Sequence, residues 1–212
     1  MCDTGALRAF DDCMRLAKSI DNVLLRTTAV RILEENKDDL LICKGSNWQH
    51  HNFCGGLIKH MYSVMSLSIS VAKEYKDRIS MDILKFSALF HDIGKVFDYS
   101  RTAITPPNMH ISAFNQELLG HAYEGASYVG RILREEYVNL EQGELTTEYF
   151  KLMCQCEHCI LTHMEPTKQK MLEATIIGHI DTIDAFATQT SWDRTNEEYV
   201  IEDIKFQKPV RL

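Results

Sequence analysis

Residues 81–96 read Met81-Asp82-Ile83-Leu84-Lys85-Phe86-Ser87-Ala88-Leu89-Phe90-His91-Asp92-Ile93-Gly94-Lys95-Val96. Leu84, Ala88 and His91 recur at the spacing of one helical face and Gly94 marks a stop, which predicts a helix from Met81 to about His91. That helix carries His91 at one end of an apolar stripe, with Asp92 directly after it. Neighbours on a helix project about 100° apart, so the two side chains can meet one ion only where the helix ends. Gly94 supplies that end.

The same period extends in both directions. From Leu7 to Leu33 apolar residues return at three and four, interrupted by Ser19-Ile20-Asp21-Asn22, whose residues suit a helix N-cap. Gly55-Gly56 opens a long amphipathic segment reaching about Asp77, and further helices are expected over residues 114–136, 146–163 and 170–189. Residues 100–115, with Pro106-Pro107-Asn108, read as the one long loop. Of the tail, residues 191–212, the stretch Tyr199–Leu212 is open between strand, helix and arm. No alternation of period two lasts long enough for a sheet, so the fold class is all-α.

The 212 residues suit one domain, divided here into an N-terminal helical segment (1–45) packed on the core, a main unit (46–190) and the tail. Asp and Glu outnumber Lys and Arg by 30 to 23, and the net charge of −7 gives no global support to a long track along a nucleic-acid backbone. No apolar run approaches the roughly 18 residues of a membrane helix, and Met1-Cys2-Asp3-Thr4-Gly5 lacks the basic and apolar parts of a secretion signal. Seven Cys, an odd number, suit reduced thiols. The expectation is a cytoplasmic protein with no membrane partner.

Several of the nine His stand on apolar stripes. His60 heads a row with Val64, Leu67 and Val71. His121 lies among Phe114, Leu118, Gly125 and Tyr128, and His163 follows Leu152, Cys156 and Ile160. Asp181 sits between Ile177 and Ala185. With His91 and Asp92, six ionisable groups point inward from five helices. A core histidine satisfied by a backbone carbonyl is ordinary, but an unpartnered buried charge costs several kcal/mol. Four imidazoles with two carboxylates are a metal-ligand composition. Mixed nitrogen and oxygen donors favour Mn, Fe, Co, Ni or Zn over Mg.

His60, the doublet His91-Asp92 and the distant Asp181 match the signature of the HD-domain metal-dependent phosphohydrolases. The strings His50-His51-Asn52-Phe53-Cys54-Gly55-Gly56-Leu57-Ile58-Lys59-His60, Ala88 through Val96, Leu119-Gly120-His121 and Ile180-Asp181-Thr182-Ile183-Asp184-Ala185 together resemble the HD domain of YhaM-type 3′→5′ exoribonucleases, over about residues 46–190. The resemblance implies one metal held by His60, His91, Asp92 and Asp181. It implies a second held by His121, His163 and a bridging Asp92. Lys95 falls where such proteins place a cation beside the phosphate. Two departures stand out: that family has an OB domain before this one, and its paired histidines appear here as His163-Met164. A single histidine there also occurs in dinuclear HD hydrolases of diadenosine tetraphosphate.

The expected function is therefore hydrolysis of a phosphoester in short nucleic acids or nucleotides by a metal-bound hydroxide, with Asp92 and Lys95 catalytic and two divalent transition-metal ions as cofactors. No Ser-His-Asp order, phosphate-binding loop or dinucleotide fingerprint competes. A small-nucleotide phosphohydrolase and a non-catalytic nucleotide sensor are the alternatives. His51 is open between a substrate contact and a helix cap. Arg101 is a candidate phosphate contact, and His158 a candidate neighbour of the site. Cys154, Cys156 and Cys159 lack the spacing of a zinc knuckle and read as small thiols on a helix. His179, two residues from Asp181, is not assigned as a ligand.

Overall fold

The computed structural model describes residues 4–46, 51–99, 118–141, 145–193, 198–201 and 204–205. Helix α1 (Thr4–Lys18) gives way to α2 (Val23–Glu35) at the expected corner, where Asn22 Oδ1 accepts the Leu25 N–H at 3.0 Å. Helix α3 (Lys37–Ile42) follows, then α4 (Gly56–Ala72), a 3-10 segment (Lys73–Arg78) and α5 (Met81–Phe90). Beyond these come α6 (Lys95–Tyr99), α7 (Gly120–Glu141), α8 (Thr147–Thr162), a short 3-10 turn (Pro166–Lys168) and α9 (Leu172–Gln189). The all-α bundle ends in a small antiparallel ribbon, β1 (Thr190–Asp193), β2 (Glu198–Ile201) and β3 (Ile204–Lys205), with Trp192 opposite Tyr199 and Ile201 opposite Ile204.

Helix α5 is apolar nearly all round and lies at the centre, against α1, α2, α4, α8 and α9. Leu84, Phe86 and Phe90 are fully buried, each stabilising the fold by about 1.5–3 kcal/mol. Polar ties fix its position. Asp82 accepts the N–H groups of Asp21 and Asn22 at 3.0 and 2.8 Å, and Lys85 Nζ donates to the Ser19 carbonyl at 2.8 Å. Glu173 of α9 accepts the Ser80 N–H at 2.7 Å, one residue before α5 begins. The residues that follow α5 therefore emerge in the interior of the bundle. On the other side, Arg31 fastens α2 to α7 through Glu135 and Glu136 at 2.7 and 2.9 Å.

Two of the inward rows expected from the sequence need correcting. The buried face of α4 runs through His60, Met61, Val64, Met65, Ser68 and Ala72, whereas Leu67 and Val71 are exposed. A spacing of three or four suits both Leu67 and Ser68, and the sequence reading favoured the apolar one; packing takes the small serine instead. Leu118 is also exposed, not part of an inward row with His121. Helices α3 and α6 are too short to show a period and were not anticipated. The segment 100–115 lies outside the described residues, as does most of the 114–119 start expected for α7.

Candidate metal centre

The fold brings His60, His91, Asp92, His121, His163 and Asp181 together. His60 stands near the start of α4, and His91 caps the C-terminus of α5. There the chain leaves the helix through turn bonds from Ile93 to Phe90 and from Lys95 to Asp92, so Asp92 can face the same point as His91. His121 is in the first turn of α7, His163 caps α8, and Asp181 is midway along α9.

The ring nitrogens are oriented from behind. His91 Nδ1 donates to the Ala88 carbonyl at 2.8 Å and His163 Nδ1 to the Ile160 carbonyl at 2.7 Å, each three residues back on its own helix. A carbonyl only accepts, so Nδ1 carries a hydrogen and Nε2 is the ring atom left facing inward. His60 Nδ1 donates instead to Asp184 Oδ2, at 2.7 Å.

These orientations yield two ligand groups sharing one carboxylate. His60, His91, Asp92 and Asp181 have ligand atoms within 4.8 Å of one another, and so do Asp92, His121 and His163. His60 Nε2 lies 3.0 Å from Asp181 Oδ1 and 3.3 Å from Asp92 Oδ2, while His91 Nε2 is 3.5 Å from that same Oδ2. The other oxygen, Oδ1, is 3.2 Å from His121 Nε2 and 3.6 Å from His163 Nε2. Asp92 Oδ1, His121 Nε2 and His163 Nε2 are buried without an aligned hydrogen bond. Buried polar atoms normally have partners. Three convergent orphans of mixed N and O type fit a divalent transition metal.

The charges of the chain itself fit the same arrangement. Burial alone would push the His60 imidazole down, but hydrogen bonds to Asp181, Asp184 and Asp92 reverse this and hold it at about 10. Burial, with the neighbouring His91 charge, pushes His163 down to about 4. Burial would raise Asp92, but Lys95 and His91 outweigh it and hold the carboxylate well below its usual range. His60 therefore stabilises the metal-free fold fully below its ordinary 6.5, and that contribution is lost as pH rises through about 10. His163 acts oppositely, its contribution being present above 6.5 and lost as pH falls towards about 4. In the presence of a chelator, Tm is expected to peak near neutrality and fall on both sides. A calorimetric Tm that stays flat from pH 7 to 10 would contradict the partners assigned to His60.

Lys95 is buried rather than solvated, with Nζ 2.6 Å from Asp92 Oδ2 and 2.8 Å from the Gly45 carbonyl. In this structure its charge is directed at the shared carboxylate. Lys95→Met is expected to destabilise the metal-free protein by about 3 kcal/mol, the lower end for breaking a buried pair, because His60 and His91 still flank Asp92. The urea midpoint measures it.

Asp184 was not singled out from the sequence, although its three-residue step from Asp181 places both on one helical face. It is buried, and it also accepts from His51 Nε2 at 2.9 Å and from Ser63 Oγ. His51 thus sits behind His60, on the far side of Asp184 from the candidate ligand atoms. His158 Nε2 accepts the Lys170 N–H at 3.0 Å and is not brought into the cluster. His179 Nδ1 donates to the Thr175 carbonyl at 2.8 Å. Arg101 lies outside the described residues. Cys156 and Cys159 are buried, with their thiols pushed up, Cys159 to about 12, while Cys154 is exposed. None of the three belongs to a ligand group among the described residues. Beside the cluster a cleft of about 200 Å³ opens between His163, Met164, Pro166, His179 and Asp181.

Residues 57–185, more than half the chain, match the HD domain family, and the chain belongs to that family. Its members are generally metal-dependent hydrolases. No solved structure gives a significant match. Among the described residues no helix is long and apolar enough to cross a membrane.

Proposed function

We propose that this protein is a dinuclear metal-dependent phosphoesterase acting on short oligonucleotides or free nucleotides, with a 3′→5′ exonuclease-like mode on RNA as the reading favoured by its sequence resemblance. The observation that carries the proposal is the division of Asp92, with Oδ2 towards His60 and His91 and Oδ1 towards His121 and His163. A monodentate ligand would need only one of these sets.

Bound divalent ions would lower the pKa of a water and neutralise charge on the phosphoryl oxygens. The chain's own work is to hold and aim. Asp92 would join the two sets, His91 and His163 keep their Nε2 atoms inward through backbone carbonyls, and Lys95 balances the buried carboxylate. Asp181, on the wall of the cleft, borders the space where a phosphoester would approach. The net charge of −7 agrees with weak affinity for long strands.

Incubating the Mn²⁺-loaded protein with a 3′-end-resolved RNA ladder and, separately, with mononucleotides, cyclic nucleotides and dinucleoside polyphosphates tests the proposal. Progressive shortening supports the oligonucleotide reading, and turnover of small nucleotides alone supports the narrower one. Silence on both substrates with metals bound contradicts the enzyme reading and points to a nucleotide sensor.

A further inference from the structure

Asp184 is a buried carboxylate gripped from two other parts of the chain. Its Oδ2 accepts from His60 Nδ1 at 2.7 Å and from His51 Nε2 at 2.9 Å, and its Oδ1 accepts from Ser63 Oγ. The need for such an acceptor follows from where each histidine stands on its helix. His91 and His163 cap C-termini, where carbonyls three residues back are left over by the helix and can accept. His60 lies near the start of α4, where the preceding carbonyls are taken by the helix's own bonds. Its Nδ1–H needs an acceptor from elsewhere, and α9 supplies one.

His51 has a φ of 52°, the left-handed region that a residue with a Cβ rarely enters. Such conformations persist where the surroundings over-determine them. Here the His51 carbonyl accepts the N–H groups of Gly45 and Phe53 at 3.0 and 2.8 Å, while its ring reaches Asp184. The Gly45 carbonyl in turn accepts from Lys95, which holds Asp92. Gly45 and His51, hydrogen-bonded to each other, are thus joined to both candidate ligand groups.

We infer that Asp184 and His51 are a positioning pair for His60. Asp184 takes the Nδ1–H and so leaves Nε2, which faces Asp92 and Asp181, as the nitrogen that gives up its proton to an ion. His51 donates to Asp184 and holds the carboxylate in the rotamer that does this. His51 is on this account a support behind the metal centre, not a substrate contact.

The inference rests on the metal-binding reading above, and the test separates the two. Mn²⁺ and Zn²⁺ affinities are measured by chelator competition for the parent protein, Asp184→Asn, His51→Leu and His51→Gln, with ¹⁵N spectra of the histidine rings recorded in the Zn²⁺-loaded state. Asp184→Asn and His51→Leu are expected to weaken metal binding about 10–100-fold. The His60 Nδ1–H signal should shift while those of His91 and His163 stay. His51→Gln, whose amide can still donate to the carboxylate, is expected to recover most of the affinity. Should Asp184→Asn not fold, the contrast between the two His51 variants carries the test. Parent-like affinities and parent-like His60 signals in the variants would overturn the positioning role. A parent protein that binds neither ion would instead overturn the metal reading on which it rests.

Discussion

Asp92→Ala is expected to remove both metal equivalents and to lower turnover by about a thousandfold or more, equivalent to about 4 kcal/mol of lost transition-state stabilisation. The size of the effect follows from the side chain's position. Asp92 is 1% exposed, and among the described residues it is the residue shared by the group of His60, His91 and Asp181 and the group of His121 and His163. Removing it leaves each imidazole set without the carboxylate that completes it, and strands the buried Lys95 ammonium 2.6 Å from where Oδ2 stood. Loss of a single equivalent, read by elemental analysis after gel filtration, would mean that the second set does not depend on this carboxylate.

Gly94→Ala is expected to have the next largest effect, although Gly94 binds nothing. A Cβ there would come within 2.0 Å of the His121 carbonyl and 2.8 Å of the Gly125 nitrogen, both backbone atoms of α7 that cannot rotate aside. The helix must move away, taking His121 with it. Overpacking of this kind costs about 3 kcal/mol, or about 6–12 °C in Tm for a domain of this size. One metal equivalent should be lost with it. Gly120→Ala is the control: its φ of 73° strains an alanine, but nothing lies within 4 Å of the added methyl. It should cost only about 1 kcal/mol and leave both metals bound. If Gly94→Ala keeps the parent Tm and both equivalents, the close seating of α7 on the turn after α5 is wrong.

The helices and the residues of the candidate site were legible because both leave periodic marks. The corner at Asn22 and the stripes leading to His91 and His163 could be read from spacing alone, and the adjacent His91-Asp92 ahead of Gly94 showed where a helix had to end. What stayed hidden depends on contacts distant in sequence. Asp184 follows Asp181 by three residues, a pattern shared with any solvated helix face, and only His60, 124 residues earlier, gives it a purpose. His51 could be a cap or a contact until the structure set it against the same carboxylate. Lys95, which the resemblance places where a cation stands beside the phosphate, has its ammonium 2.6 Å from Asp92 Oδ2, a contact that spacing alone does not show. Ser68 rather than Leu67 lies on the buried face of α4, a choice between neighbouring positions that a spacing of three or four leaves open.

The central claim, two ions divided by Asp92, is tested most directly by anomalous diffraction from crystals of the Mn²⁺-loaded protein. The account predicts two peaks on opposite oxygens of Asp92, one beside His60, His91 and Asp181 and the other beside His121 and His163. A single peak in fully loaded, active protein, or a second peak away from His121 and His163, would contradict it.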